Sequence, residues 1–274
     1  MANAPKPTTA KKESSGSSIF ASLTIVICIV IGILLWKFVM GDSANFEGGD
    51  NTGHPLPGNY FGMIYKGGYI VPVLMGLLLM VIVFSFERFF VINKATGKGN
   101  IDSFVKKVQV QLGNGNIDAA MAECDKQEGS VANVIKSGLK KYKDMEVETK
   151  MDTEQKCLAI QKDIEEATAL EMPMLEQNLT VIATLVSIGT LMGLLGTVTG
   201  MIKAFAGLAT AGSPDQAALA NGISEALINT ATGIATSALA IIMYNLFTSK
   251  IDKLTYSIDE AGFSIVQTYA STHK

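Results

Sequence analysis

The stretch Leu179–Leu208, LTVIATLVSIGTLMGLLGTVTGMIKAFAGL, carries a single charged residue, Lys203. The stretch Gly222–Phe247, GISEALINTATGIATSALAIIMYNLF, also carries one, Glu225. About 20 apolar residues in a helix cross the ~30 Å hydrocarbon core of a bilayer. In lipid an open segment satisfies its own backbone hydrogen bonds only as a helix. Residues 179–208 and 223–247 are therefore predicted transmembrane helices. Working outward, 68–92 (beginning with GYIVPVLMGLLLMVIVFSF) and 19–40 (ending in ILLWKFVM) meet the same criterion. The run after Ser18 is long for a signal-peptide core, and no small-x-small cleavage site follows Met40, so it is expected to be retained as a membrane helix. The fold class is an all-α polytopic membrane protein with four predicted spans and a helical cytoplasmic domain.

Orientation follows from lysine and arginine in the flanking segments. Lys6, Lys11 and Lys12 precede the first span, Arg88 and 12 lysines lie at or within 93–178, and Lys250, Lys253 and Lys274 follow the last span. Only Lys37, Lys66 and Lys203 flank the other side. Both termini and 93–178 are expected in the cytoplasm, with 41–67 and 209–222 as periplasmic loops. Residues 1–18, rich in Ser, Thr, Pro and Lys, read as a disordered tail, and 248–274 reads as a cytoplasmic tail.

Within 93–178, apolar spacing predicts helices over 101–112, 117–124 and 130–142, with a Gly-Asn-Gly-Asn turn at Gly113–Asn116. From Glu148 to Asn178 the only break signal is Pro173, which predicts one long helix running into the third span, kinked at that proline. Subunit packing and partner binding are both open as roles for this segment.

The third and fourth spans differ from the first two. Gly189, Gly193, Gly196 and Gly200 fall on one helix face, and Thr184, Ser187, Thr190, Thr197 and Thr199 accompany them. The fourth span adds Asn229, Thr230, Thr232, Gly233, Thr236 and Ser237. Small residues let helices approach closely, so tight helix contact by itself accounts for the glycines. Glu225 is the single acidic residue inside the third and fourth spans, about one turn from the periplasmic end of the fourth. It either reaches the headgroups or faces a bundle interior, where an ionisable group marks a functional path. A carboxylate with several hydroxyls suits protons better than a bulky solute.

Other functions are disfavoured. A net charge of −3 gives no basic face for nucleic acid. Cys28, Cys124 and Cys157 form no paired motif, and His54 and His273 lie far apart, so no metal or cofactor is expected; both histidines read as solvated loop or tail residues. No phosphate loop, HExxH or nucleophile elbow occurs, and an enzyme is not expected.

The runs Gly193-Leu-Leu-Gly196-Thr197-Val198 and Gly222-Ile-Ser-Glu225-Ala-Leu-Ile-Asn-Thr230-Ala-Thr-Gly233, followed by Ile241-Ile-Met-Tyr244-Asn245-Leu-Phe247, resemble the paired signatures of the MotA/TolQ/ExbB proton channel family, and within it the ExbB type. The resemblance covers about the last 90 residues. It implies a pentameric ring in the bacterial inner membrane whose last two membrane helices line a pore. That pore holds a pair of single-span ExbD- or TolR-like helices, whose membrane aspartate takes and releases protons. Thr197, Glu225, Thr230 and Ser237 are the candidate proton-pathway residues. Gly189, Gly193, Gly196, Gly200 and Gly233 are the candidate helix-packing residues. The implied output is motion that energises TonB, with further partners being the membrane lipid and the ring's own copies. A TolQ-like envelope motor, a motility stator and a non-conducting scaffold are the alternatives. The chain departs from the family in its added first span, in Thr199 where an aromatic is usual, in lacking a proline at Thr190–Met192, and in the polar Asn229 and Thr232.

Overall fold

The computed structural model describes residues 14–210 and 216–273. Among these, every regular element is helical, with one isolated antiparallel bridge between Phe46 and Pro55. The helices are α1 (Ser14–Leu34, continued by a π-helical turn at Leu35–Met40), α2 (Tyr60–Tyr65), α3 (Val71–Thr96), α4 (Ile101–Gly113), α5 (Ile117–Gln127), α6 (Gly129–Val147), α7 (Thr153–Glu176), α8 (Leu179–Thr210) and α9 (Gln216–Thr272). Four of the helical stretches are long and apolar enough to cross a membrane, one in each of the regions expected from the sequence. The chain is a multi-pass membrane protein.

Two compact units emerge. One comprises the described residues up to Ile82 with those of Leu185–Leu239; the other comprises Val83–Thr184 with the described residues from Ala240 on.

In the first unit, α1 meets α3 through glycines. A methyl group on Gly32 would lie 2.6 Å from the Pro72 carbonyl oxygen, and one on Gly76 would lie 3.1 Å from Ile29 Cα. Backbone-to-backbone approach of this kind needs residues without side chains. The segment 41–67 is folded rather than loose: Asn59 caps α2 by accepting from Gly62 N–H at 3.0 Å, and Asn45 donates to the Val39 and Met40 carbonyls left free by the π-helical turn.

In the second unit, α4 to α7 bury Phe104, Val108, Leu112, Ala120, Val131, Ile135, Leu139, Ile160 and Ile164. The caps follow local chemistry. Asn100 accepts from the N–H groups of Asp102 and Ser103, and Asp152 forms a reciprocal capping box with Gln155.

Three sequence expectations are corrected. The expected tail 248–274 is helical through Thr272, because Phe247, Ile251, Leu254, Ile258, Ala261, Ile265 and Tyr269 recur every three or four residues and are all buried. Ser14–Ser18, placed in the N-terminal tail, are helical; the rest of that tail, 1–13, lies outside the described residues. The expected loop 209–222 is helical from Gln216 onward, while 211–215 lie outside the described residues.

The long helix expected from Glu148 into the third span is interrupted, and at a different place from Pro173. The proline is accommodated inside α7. The chain breaks at Gln177, which is extended, and at Asn178, whose φ is +61°. Asparagine is among the few residues that adopt this left-handed conformation at modest cost. Arg88, only 1% exposed, holds the break by donating to the Met174 and Leu175 carbonyls at 3.0 and 3.2 Å, which are orphaned at the C-terminus of α7. Its charge is met by Glu87, whose carboxylate also accepts from Asn178 at 3.3 Å.

Candidate functional site

Residues 185–207 of α8 and 219–239 of α9 run antiparallel with a register fixed by small residues. The buried positions of α8 are Leu185, Gly189, Gly193, Gly196, Gly200 and Ala204; those of α9 are Gly222, Ala226, Asn229, Gly233, Thr236 and Ser237. A methyl group on Gly193 would lie 3.1 Å from Gly233 Cα, one on Gly200 2.9 Å from the Gly222 carbonyl oxygen, and one on Gly233 2.6 Å from the Gly189 carbonyl oxygen. Four of the five glycines singled out in the sequence, Gly189, Gly193, Gly200 and Gly233, therefore sit where the two backbones touch, while Gly196 makes room for the Asn229 side chain. Any larger residue at those four forces the backbones apart.

This close approach brings polar side chains into three rungs. Thr190 donates to Ser237 Oγ at 2.9 Å. Thr197 and Thr230 hydrogen-bond to each other. Lys203 Nζ lies 2.5 Å from Glu225 Oε1. A step of seven residues along α8, from Thr190 to Thr197, is matched by a step of seven the other way along α9, from Ser237 to Thr230. Seven residues of helix rise about 10.5 Å; the third rung lies closer, six residues beyond Thr197 on α8 and five before Thr230 on α9.

Both hydroxyls of the middle rung also have a local acceptor. Thr197 bonds the Gly193 carbonyl at 3.3 Å and Thr230 the Ala226 carbonyl at 3.1 Å. Hydroxyls both donate and accept, so the middle rung can pass a proton or hold a carboxylic acid in either protonation state. Glu225 is ion-paired rather than free, with its side chain 13% exposed against 52% for Lys203. Lys203 also lies 5.9 Å above the Tyr69 ring.

Three residues here escaped sequence reasoning. Lys203 was assigned only to a flank. Asn229 stood out as unusually polar without a role; it is fully buried and donates to the Gly67 carbonyl at 2.8 Å, while its own carbonyl oxygen has no protein partner. Gly68, with φ +77°, lies under Glu225. An asparagine in the middle of a span is the available signal for the second. The others depend on tertiary contact.

Outside the site, the cysteines are free, and no cluster able to hold a metal occurs among the described residues. His54 is exposed as expected, whereas His273 stacks on Tyr269 with ring centroids 4.2 Å apart.

Comparison with known proteins points the same way. Residues 126–260 match the MotA/TolQ/ExbB proton channel family. The chain is 32% identical over 127 residues to the Tol-Pal system protein TolQ of Pseudomonas aeruginosa, covering 46% of this chain and 55% of that protein. It is 32% identical over 85 residues to the biopolymer transport protein ExbB of Salmonella typhimurium, covering 31% and 35%. It is 26% identical over 200 residues to a putative ExbB homolog of Methanothermobacter thermautotrophicus, covering 71% and 66%. The chain thus spans about half the length of the TolQ relative and about a third of the ExbB of Salmonella. The matched segment contains α8, the glycine-faced part of α9 and all three polar rungs, and through it the chain is an ExbB/TolQ-type member of the MotA/TolQ/ExbB proton channel family.

Proposed function

We propose that this chain is the proton-channel and motor subunit of an inner-membrane ExbB–ExbD-type complex that uses proton-motive force to energise TonB-dependent transport across the outer membrane. Both termini lie in the cytoplasm, and the chain acts as a pentamer around single-span partner helices. The observation that carries the reading is the register-matched set of rungs, Thr190–Ser237, Thr197–Thr230 and Lys203–Glu225, on the two spans that match the family.

The spacing of those rungs favours a partner. At roughly 8–10 Å apart along the helices they are too far for direct proton transfer, which needs heavy atoms within roughly 3 Å or one bridging water. A carrier must move between them, and an acidic side chain on a helix inside the ring meets that need. Neutral when protonated, it crosses apolar wall; ionised, it is held at a polar rung. Each charge moved across 100 mV releases about 2.3 kcal/mol.

The test measures uptake of an iron chelate or cobalamin, and proton flux in vesicles carrying the chain with its single-span partner. Glu225→Ala is expected to abolish both at normal protein level; normal uptake and flux would overturn the pore role. A TolQ-like output shares this site and is favoured by the match to the Pseudomonas TolQ. Loss of envelope integrity in a deletion strain with intact chelate uptake would select it.

A further inference from the structure

We propose that the turn Tyr65–Gly68 positions the Glu225 carboxylate, and that the first span with the 41–67 segment holds that turn in place.

The turn touches two successive turns of α9. Gly68 has φ +77°, and a methyl group there would lie 2.9 Å from Glu225 Cδ, with Oε1 closer still. The carboxylate thus rests on the bare Cα of Gly68 through Oε1, the same oxygen that pairs with Lys203. One turn deeper, the Gly67 carbonyl accepts from Asn229, and a methyl group on Gly67 would meet Ile228 Cγ2 at 3.0 Å. Gly68 also begins the helical end of the second span. The unpaired N–H groups of a helix start favour a nearby anion.

The turn is held from the opposite direction. Trp36, at the end of the first span, stacks on Tyr65 with ring centroids 4.7 Å apart and donates Nε1–H to the Tyr65 carbonyl at 3.3 Å. Phe46 meets the Tyr65 ring edge-on at 5.5 Å. Asn51 donates to the Tyr65 hydroxyl at 3.3 Å, and Lys66 to the Thr52 carbonyl at 2.9 Å. Neither the first span nor the 41–67 segment belongs to the family-matched residues 126–260. They form a brace outside it, and through two glycines the brace reaches the one acidic residue of the polar route. The consequence for transport rests on the proposed pore role of Glu225; the positioning itself does not.

The test is a thermal-unfolding cycle on the full chain in nanodiscs. Gly68→Ala carries a left-handed backbone cost and a collision with Glu225. Gly48→Ala carries the backbone cost alone, since its φ is +74° and nothing lies within 4 Å of an added methyl. Gly68→Ala is expected to lower Tm more than Gly48→Ala does, and Glu225→Asp, one methylene shorter, to recover at least half of the excess. Additive effects overturn the positioning. If Gly68→Ala alone does not fold, the double variant with Glu225→Asp must; failure of both overturns it equally. For the brace, Gly68→Ala is expected to cost less than half as much in a Tyr65→Leu background, where the turn is free to shift, and an unchanged cost overturns that part. Proton flux with the single-span partner separates the two readings. A non-additive cycle with normal flux in Gly68→Ala keeps the positioning and removes Glu225 from the pore, whereas additive melting with lost flux in Glu225→Ala does the reverse.

Discussion

Replacing Thr197 by valine removes one hydroxyl and keeps the shape of the side chain. Its structural cost is small and calculable. The rung to Thr230 is lost, and interhelical side-chain hydrogen bonds in membranes contribute about 0.6 kcal/mol on average. The Thr230 hydroxyl is not stranded, because it still donates to the Ala226 carbonyl 3.1 Å away. For a chain of this size a loss of about 0.6 kcal/mol lowers Tm by roughly 1–2 °C. If the rung lies on the proton route, the functional cost is far larger, since a positioned proton donor or acceptor contributes on the order of 10²-fold or more. Flux in vesicles, read with a pH-sensitive dye on the same sample whose Tm is measured, is expected to fall at least about tenfold. Thr197→Ser, which keeps the hydroxyl, is expected to retain flux. Flux above half of wild type in Thr197→Val refutes the route. A Tm drop beyond about 4 °C, in proportion with lost flux, assigns Thr197 to packing instead.

Two further outcomes concern the second unit. Arg88→Met leaves the Met174 and Leu175 carbonyls without donors and Glu87 without its cation; breaking a buried pair in this way costs about 3–5 kcal/mol, so sharply reduced accumulation of folded protein is expected on quantitative blotting. Burial pushes the Cys124 thiol up to about 12, so the thiolate is scarce at pH 8; in mass-spectrometric mapping with a maleimide, Cys157, which is only partly buried, is expected to label first and Cys124 only on unfolding.

What could be read from the sequence follows a physical divide. A run of about 20 residues without charge has one stable form in lipid, so four spans were legible. The glycine face was legible because its 3–4 spacing is a property of one helix. The rungs were not, because register is a relation between two helices. Lys203 and Glu225 are 22 residues apart, and nothing in either neighbourhood announces the pair. The break before the third span was misplaced for the same reason. Pro173 is the local signal, yet the orphaned carbonyls at Met174 and Leu175 are answered by Arg88, 86 and 87 residues away. The C-terminal helix was missed because its exposed faces carry the charges that make a segment look like a tail, while Ile251, Leu254, Ile258, Ala261 and Ile265 keep a helical period beneath them.

The rungs are not equivalent, and counting protons shows why. At the lower rung the Thr190 hydroxyl has one proton and two acceptors, Ser237 Oγ at 2.9 Å and the Val186 carbonyl at 3.4 Å; the shorter contact fixes the direction toward Ser237. At the Lys203–Glu225 rung the ammonium is always the donor. The middle rung alone is symmetric. Thr197 and Thr230 share two protons among each other and two backbone carbonyls, Gly193 and Ala226. Either Thr197 donates across and Thr230 donates to its own helix, or the reverse, and the two arrangements have nearly equal partners. A route that must load a proton from one side and release it to the other needs a point where the donor sense can reverse. The Thr197–Thr230 pair has that property and the flanking rungs do not, so hydroxyl loss is expected to weigh more on flux at 197 and 230 than at 237.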